Sequence, residues 1–253
     1  MTIRTFRKVF GYNNSVRIVR PARRSRQDLR DIPLYSIPEA ASYLAMSPRT
    51  LTSWFSGTQR LFDPAGDYKN YSLLSFKDVA QAYVLYILKH FHKYTPAQIE
   101  RAMREIRKET KSRHPLLTLD RRTAAKNLML NKPPRGSRGR EVVNLSKFRN
   151  LVLTEVVDAC SQRILKNSSG ETLELFPWRF FEEDGDSRPV SMDPSILSGR
   201  LVVTGTRIPV STLLGLKLTQ HKTVEQIAKN YDLNVEVVKK ALRHIENPLQ
   251  KVA

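Results

Sequence analysis

The segment from Asp193 to Pro209, DPSILSGRLVVTGTRIP, constrains the fold of this 253-residue chain more than any other. It joins a proline-containing turn to the apolar run Leu201–Val203, which is typical of a short strand. Gly205 closes that strand, and Ile208-Pro209 fixes the entry to the next element. The sequence therefore predicts a strand and a turn that lead into a small helical module.

Three segments with apolar residues at helical spacing follow this lead-in, over residues 210–218, 223–231 and 234–246. Thr223 is a suitable N-cap for the second segment, because Glu225 and Gln226 lie in its first turn. The turn between the last two segments is short enough for a helix-turn-helix. The sequence thus predicts three short helices at this end of the chain.

The C-terminal motifs, DPSILSGRLVVTGTRIPVSTLL followed by TVEQIAKNYDLNVEVVKKALRH, resemble a small family of domains of unknown function found in bacterial and archaeal antitoxins. Within the signature, Thr206 and Arg207 have two possible roles. They either stabilise the turn or contact a partner, which would be a protein or a nucleic acid. The helix-turn-helix of this module likewise binds either DNA or protein, and the residues do not decide between the two.

A second helix-turn-helix is predicted near the N-terminus. A helix from Pro38 to Leu44 is followed by a turn at Ala45–Ser47, and a second helix opens at Pro48 with Ser47 as its N-cap. Apolar residues on one face of each helix pack the two helices together. An exposed recognition helix would meet DNA with the opposite face, which carries Arg49, Thr50 and Ser53.

The segment YSIPEAASYLAMSPRTLTSWFSG, with YSLLSFKDV and YTPAQIERAMREI downstream, resembles the winged helix of MerR-type DNA-binding proteins. In that family the second helix enters the major groove, and the wing touches the DNA backbone. The resemblance implies DNA contacts from Arg49, Thr50, Ser53 and Trp54 in the helix and from Lys69, Asn70 and Tyr71 in the wing. An aromatic residue at the position of Trp54 also fits a core role, and both alternatives stay open.

The charge of the chain favours a polyanionic partner. The 43 Lys and Arg residues outnumber the 24 Asp and Glu residues, which gives a formal net charge of +19 at pH 7. Basic side chains bind nucleic acid by releasing its counterions. The basic N-terminal arm either contacts the DNA backbone or is a solvated tail, and its candidate contacts are Arg20, Arg23, Arg24 and Arg26.

The expected fold class is mainly α with small β elements: a winged helix-turn-helix followed by a small helical domain with a short β lead-in. The Pro- and Gly-rich segment NKPPRGSRGR marks a boundary between the two. We predict a basic arm over residues 1–32, a winged helix over 33–130 and a linker over 131–140. A helix and a β-hairpin around Gly170 then occupy 141–190, and the antitoxin-type module occupies 191–253.

Catalytic chemistry is not expected. The acidic run at 182–186 lacks the spacing of a calcium loop, and the histidines show no zinc-ligand spacing. Cys160 is the single cysteine and fits a buried position. We therefore expect no enzyme activity, metal or cofactor. Because no apolar run is long enough to span a bilayer and no signal peptide is evident, we also expect a cytoplasmic protein without membrane contact.

With both of these features, the chain resembles the larger VapB-type antitoxins, which are encoded beside PIN-like toxins. This implies a homodimer that binds operator DNA, represses its own operon and neutralises a ribonuclease toxin. Two alternatives remain: a stand-alone DNA-binding regulator without a toxin, and a basic RNA-associated protein.

Overall fold

A computed structural model describes residues 28–55, 61, 66–68, 71–90, 95–118, 163–177 and 187–246. Within these ranges the chain forms eight α-helices and seven short strands, and every strand pairing is antiparallel. The predicted fold class, mainly α with small β elements, is confirmed. Four predicted features lie outside the described residues: positions 1–27 of the basic arm (predicted over 1–32), the linker at 131–140, Cys160 and the acidic run at 182–186.

The N-terminal part begins with a 3₁₀ turn, Leu29–Asp31, and continues through three strands and five helices. These are β1 (Pro33–Ser36), α1 (Ile37–Tyr43), α2 (Pro48–Phe55), β2 (Gly66–Tyr68), β3 (Tyr71–Ser75), α3 (Phe76–His90), α4 (Pro96–Thr110) and α5 (Pro115–Thr118). The strands form one sheet in the order β1-β3-β2, in which Tyr35 pairs with Leu74 and Tyr68 with Tyr71. The helix-turn-helix α1–α2 thus lies in the chain between β1, at one edge of the sheet, and the hairpin β2–β3.

Helix α3 is buried along most of its length. All residues from Asp78 to Leu88 are buried, because α4, α5, the sheet and the 3₁₀ turn pack around the helix. The carboxylate of Asp78 accepts hydrogen bonds from the backbone N–H and the hydroxyl of Ser75, at 2.8 and 3.0 Å, and lies 2.9 Å from His114 Nε2. The buried acid therefore caps α3 and joins it to the segment that begins α5.

The C-terminal part contains a hairpin and a compact module. The hairpin is β4 (Ile164–Lys166) and β5 (Thr172–Leu175), and the module comprises β6 (Val190–Ser191), a 3₁₀ turn (Leu197–Gly199), β7 (Val202–Val203), α6 (Val210–Thr219), α7 (Val224–Tyr231) and α8 (Val235–Glu246). Gly170 turns the hairpin at φ +80°, a conformation that favours glycine. The predicted hairpin, the strand after Arg200 and the three helices are all confirmed.

The two parts share one hydrophobic core, to which α2, α3, α6 and α8 all contribute buried residues. Polar contacts also join them. Arg30 donates to the carbonyl oxygen of Thr172 and pairs with Glu171, and Lys166 Nζ donates to the carbonyl oxygen of Leu117 at 2.6 Å. The hairpin β4–β5 is thereby attached to the N-terminal part on both sides.

None of the helices in the described ranges has the length and apolar character needed to cross a membrane.

Candidate nucleic-acid interface

The geometry of the N-terminal helix pair follows from its caps. The Ser36 hydroxyl accepts from the backbone N–H of Glu39 and starts α1. Ala45 takes a left-handed conformation, φ 51°, which turns the chain between the helices. The Ser47 hydroxyl then accepts from the backbone N–H of Thr50 at 3.1 Å, so α2 begins at Pro48 as the sequence predicts.

Helix α2 has a buried face and an exposed face. Leu51, Trp54 and Phe55 point into the core, whereas Arg49 and Thr52 are exposed. Of the two alternatives for Trp54, the structure favours the core role, because the residue is only 3% exposed and its ring packs in the core. The spacing Leu51, Trp54, Phe55 is the signal for this role, since residues three and four apart share a helix face.

The other predicted contacts in α2 lie in different environments. The Thr50 hydroxyl shares a hydrogen bond of 2.8 Å with Ser47, and the Ser53 hydroxyl donates to the carbonyl oxygen of Thr50 at 2.7 Å. Arg49 is exposed, and within the described part of the chain its guanidinium makes no hydrogen bond or ion pair. Arg49 is therefore available to a partner, whereas Thr50 first serves the cap of α2.

The wing candidates are only partly described. Strands β2 and β3 form the expected antiparallel hairpin, and Tyr71 begins β3 opposite Tyr68. Lys69 and Asn70 lie outside the described residues, as do Arg20, Arg23, Arg24 and Arg26 of the arm. The predictions for these residues stay predictions.

A basic hollow at the end of α4 is a feature that the sequence predictions missed. It has a volume of about 340 Å³ and is lined by Arg107, Lys111, Ser112 and Arg113. Arg107 also donates to the carbonyl oxygen of Leu61, which in turn is joined to Trp54 by a backbone hydrogen bond. The hollow is thus linked to the C-terminal end of α2. The run of basic residues after Glu105 was the available signal.

In the turn after β7, the side chains of Thr206 and Arg207 lie in different environments. The Thr206 hydroxyl donates to the carbonyl oxygen of Val203 at 2.8 Å and accepts from the backbone N–H of Ile208, so Thr206 stabilises the turn. Gly205 supports it with φ +76°. Arg207 is exposed, and among the described residues it has no hydrogen-bond partner. The turn-stabilising alternative therefore fits Thr206 and not Arg207.

The second helix-turn-helix, α7 and α8, carries acidic residues where a DNA reader needs neutral or basic ones. Glu225 and Glu236 are exposed in the first turns of α7 and α8. The first turn of a recognition helix approaches base edges and phosphates, and a carboxylate there is repelled by phosphate. This distribution makes α2 a better candidate than α8 for a helix that would meet DNA.

His114 and His244 are both buried and bonded, His114 to Asp78 and His244 to the backbone of Tyr43. Among the residues that the structure describes, no group of three or more His, Cys, Asp or Glu side chains is gathered as a metal site. The two histidines thus have structural partners in this fold.

Comparison with known proteins supports the C-terminal module and the fold. Residues 190–244 match the family described as "Protein of unknown function (DUF433)". An X-ray crystal structure of Rv2018 from Mycobacterium tuberculosis is similar, with a TM-score of 0.61 and 20% sequence identity, covering 83% of this chain and 97% of that chain. At this identity the likeness concerns the fold alone. No curated protein matches the chain.

Proposed function

We propose that this protein is an antitoxin that binds operator DNA as a homodimer and neutralises a PIN-like ribonuclease toxin. The observation that carries the DNA-binding part is helix α2, which packs one face in the core and presents Arg49, without an intramolecular partner in the described residues, on the other. An arginine in this position is suited to bidentate contacts with guanine or phosphate.

The charge of the chain supports the same proposal. A net charge of +19 promotes association with DNA at long range. Arg107, Lys111 and Arg113 add a basic hollow linked to the end of α2, which we assign to a phosphate of the DNA backbone. Two copies on adjacent half-sites would multiply the affinity of one, which is the physical reason for proposing a dimer.

The antitoxin part rests on the C-terminal module and its resemblance to antitoxin domains. A metal-dependent ribonuclease gathers carboxylates around its metal, and such a site attracts an arginine. We assign this contact to Arg207, because the turn that carries it is braced by Thr206 while the guanidinium itself is exposed. A rigid turn lowers the entropy lost on binding.

The test is a tagged pull-down of the full chain from its host, with nuclease treatment to remove nucleic-acid bridges. The proposal expects one small acidic protein in stoichiometric amount, whose ribonuclease activity is lost when the antitoxin is equimolar. Arg207→Ala should restore that activity, and Lys229→Ala, which removes another exposed charge of the same module, should not.

The alternatives give different results in this experiment. Recovery of DNA without a stable protein partner would favour the stand-alone regulator. Full nuclease activity in the purified equimolar pair would contradict the antitoxin proposal.

A further inference from the structure

Tyr35 of strand β1 anchors the helix-turn-helix to the C-terminal module. The residue is 2% exposed, and its hydroxyl lies 3.1 Å from the carbonyl oxygen of Gly199 and 3.3 Å from that of Ser198. Burial raises the pKa of Tyr35, so its hydroxyl keeps the proton that it donates. The strand that precedes α1 is therefore bonded to a turn more than 160 residues away in the sequence.

Gly199 is required at this contact for two reasons. Its φ of +79° lies in the region that side chains rarely adopt. A Cβ atom at this position would overlap the Tyr35 hydroxyl and approach Tyr35 Cζ to 3.1 Å. The turn Leu197–Gly199 and the tyrosine thus fit each other only when residue 199 lacks a side chain.

A second contact lies at the other end of α1. His244 of α8 is 1% exposed, and its Nε2 donates to the carbonyl oxygen of Tyr43 at 2.8 Å. Tyr43 meets Tyr35 edge to face, with ring centroids 6.3 Å apart, and its hydroxyl donates to Glu39. The C-terminal module consequently holds α1 at both ends, through Tyr35 at its start and Tyr43 at its finish.

We infer that the C-terminal module sets the DNA affinity of the helix-turn-helix, with Tyr35, Gly199 and His244 acting as positioning residues for the reading helix α2. The inference rests on the proposed DNA binding and extends it to regulation. Helix α1 packs on α2, so a shift of α1 displaces the face that carries Arg49. A protein bound to the C-terminal module and DNA bound to α2 are then thermodynamically linked.

The test compares two glycine variants of the full chain, Gly199→Ala and Gly205→Ala. Both positions have positive φ, +79° and +76°, so the backbone strain of alanine is matched. A Cβ at Gly205 meets no atom within 4 Å, whereas one at Gly199 meets Tyr35. The difference between the variants therefore isolates the contact with Tyr35.

Two readouts are measured: the Kd for DNA from upstream of the protein's own gene, and amide hydrogen exchange in β1 and α1. Gly199→Ala should weaken DNA binding about tenfold, a typical coupling between two sites, and speed exchange in α1. In Gly205→Ala, both the Kd for DNA and the exchange rates should stay within about twofold of the wild-type values. Adding Tyr35→Phe to Gly199→Ala removes the hydroxyl and should recover part of the loss, which measures the coupling directly.

Equal DNA affinity of the two glycine variants, or a loss in Gly199→Ala without faster exchange in α1, would overturn the inference. If Gly199→Ala does not fold, the single variant Tyr35→Phe tests the inference instead. It should weaken DNA binding and speed amide exchange in α1 more than the control variant Tyr231→Phe does. A wild-type chain that binds no DNA refutes the proposed function, whereas the exchange data still report whether the module positions α1.

Discussion

Arg49 is the residue on which the proposed DNA contact most depends. Arg49→Ala removes an exposed guanidinium from the face of α2 without disturbing the core. Loss of one arginine contact to a base or phosphate costs about 1–3 kcal/mol, so we expect the Kd for operator DNA to rise about tenfold or more. Fluorescence anisotropy measures it, with Lys229→Ala as a control of equal charge loss. A similar loss in both variants would mean that net charge, and not α2, governs binding.

Asp78 gives a prediction about stability and pH. Burial raises its pKa, but hydrogen bonds from His114 and Ser75 outweigh burial and hold the pKa below its ordinary value. The stabilisation is therefore present above the unfolded pKa of about 3.9 and lost as the pH falls through the lower folded pKa.

Asp78→Asn should accordingly lower the free energy of unfolding at pH 7 by about 2 kcal/mol, because the buried hydrogen bonds to Asp78 lose their charged acceptor. Urea unfolding measures it, and the gap to wild type should narrow below about pH 4. Asp232→Asn, at an exposed helix end where asparagine is tolerated, should change little. A gap that stays constant down to pH 2 would show that the charge of Asp78 does not stabilise the fold.

At the scale of elements, two helices begin with the same N-terminal capping motif. Thr95 with Gln98 and Thr223 with Gln226 form reciprocal capping boxes at the N-termini of α4 and α7. Thr95→Ala and Thr223→Ala should each cost about 1 kcal/mol of unfolding free energy. Thr219→Ala, at the exposed end of α6, should cost less than about 0.5 kcal/mol. Equal effects of all three in thermal unfolding would show that the boxes add nothing.

Local signals explain which elements could be predicted from the sequence. The start of α2 and the three C-terminal helices depend on caps, turns and spacing within a few residues, and these predictions were confirmed. The burial of α3 could not be read in the same way, because the surfaces of α4 and α5 that cover it belong to later segments. Arg207 shows the same limit, since its exposure depends on how the turn that carries it packs.

At the scale of the whole molecule, the two predicted domains share buried contacts. Tyr35 with Gly199 and Tyr43 with His244 join residues far apart in sequence, and no local pattern predicts such pairs. Because the apolar cluster includes residues of both parts, we expect one cooperative unfolding transition, seen as coincident curves by circular dichroism and tryptophan fluorescence. Two separated transitions would contradict a shared core.

The most direct test of the central claim is the Kd of the full chain for DNA from upstream of its own gene, compared with the same DNA in shuffled order. The measurement is made by anisotropy at physiological salt, where nonspecific binding is weaker than at low salt. A sequence-specific DNA-binding protein should bind its own upstream DNA at least about 1,000-fold more tightly than the shuffled DNA. Equal affinity for both sequences, with a steep dependence on salt, would contradict the account and indicate a protein that binds nucleic acid by charge alone.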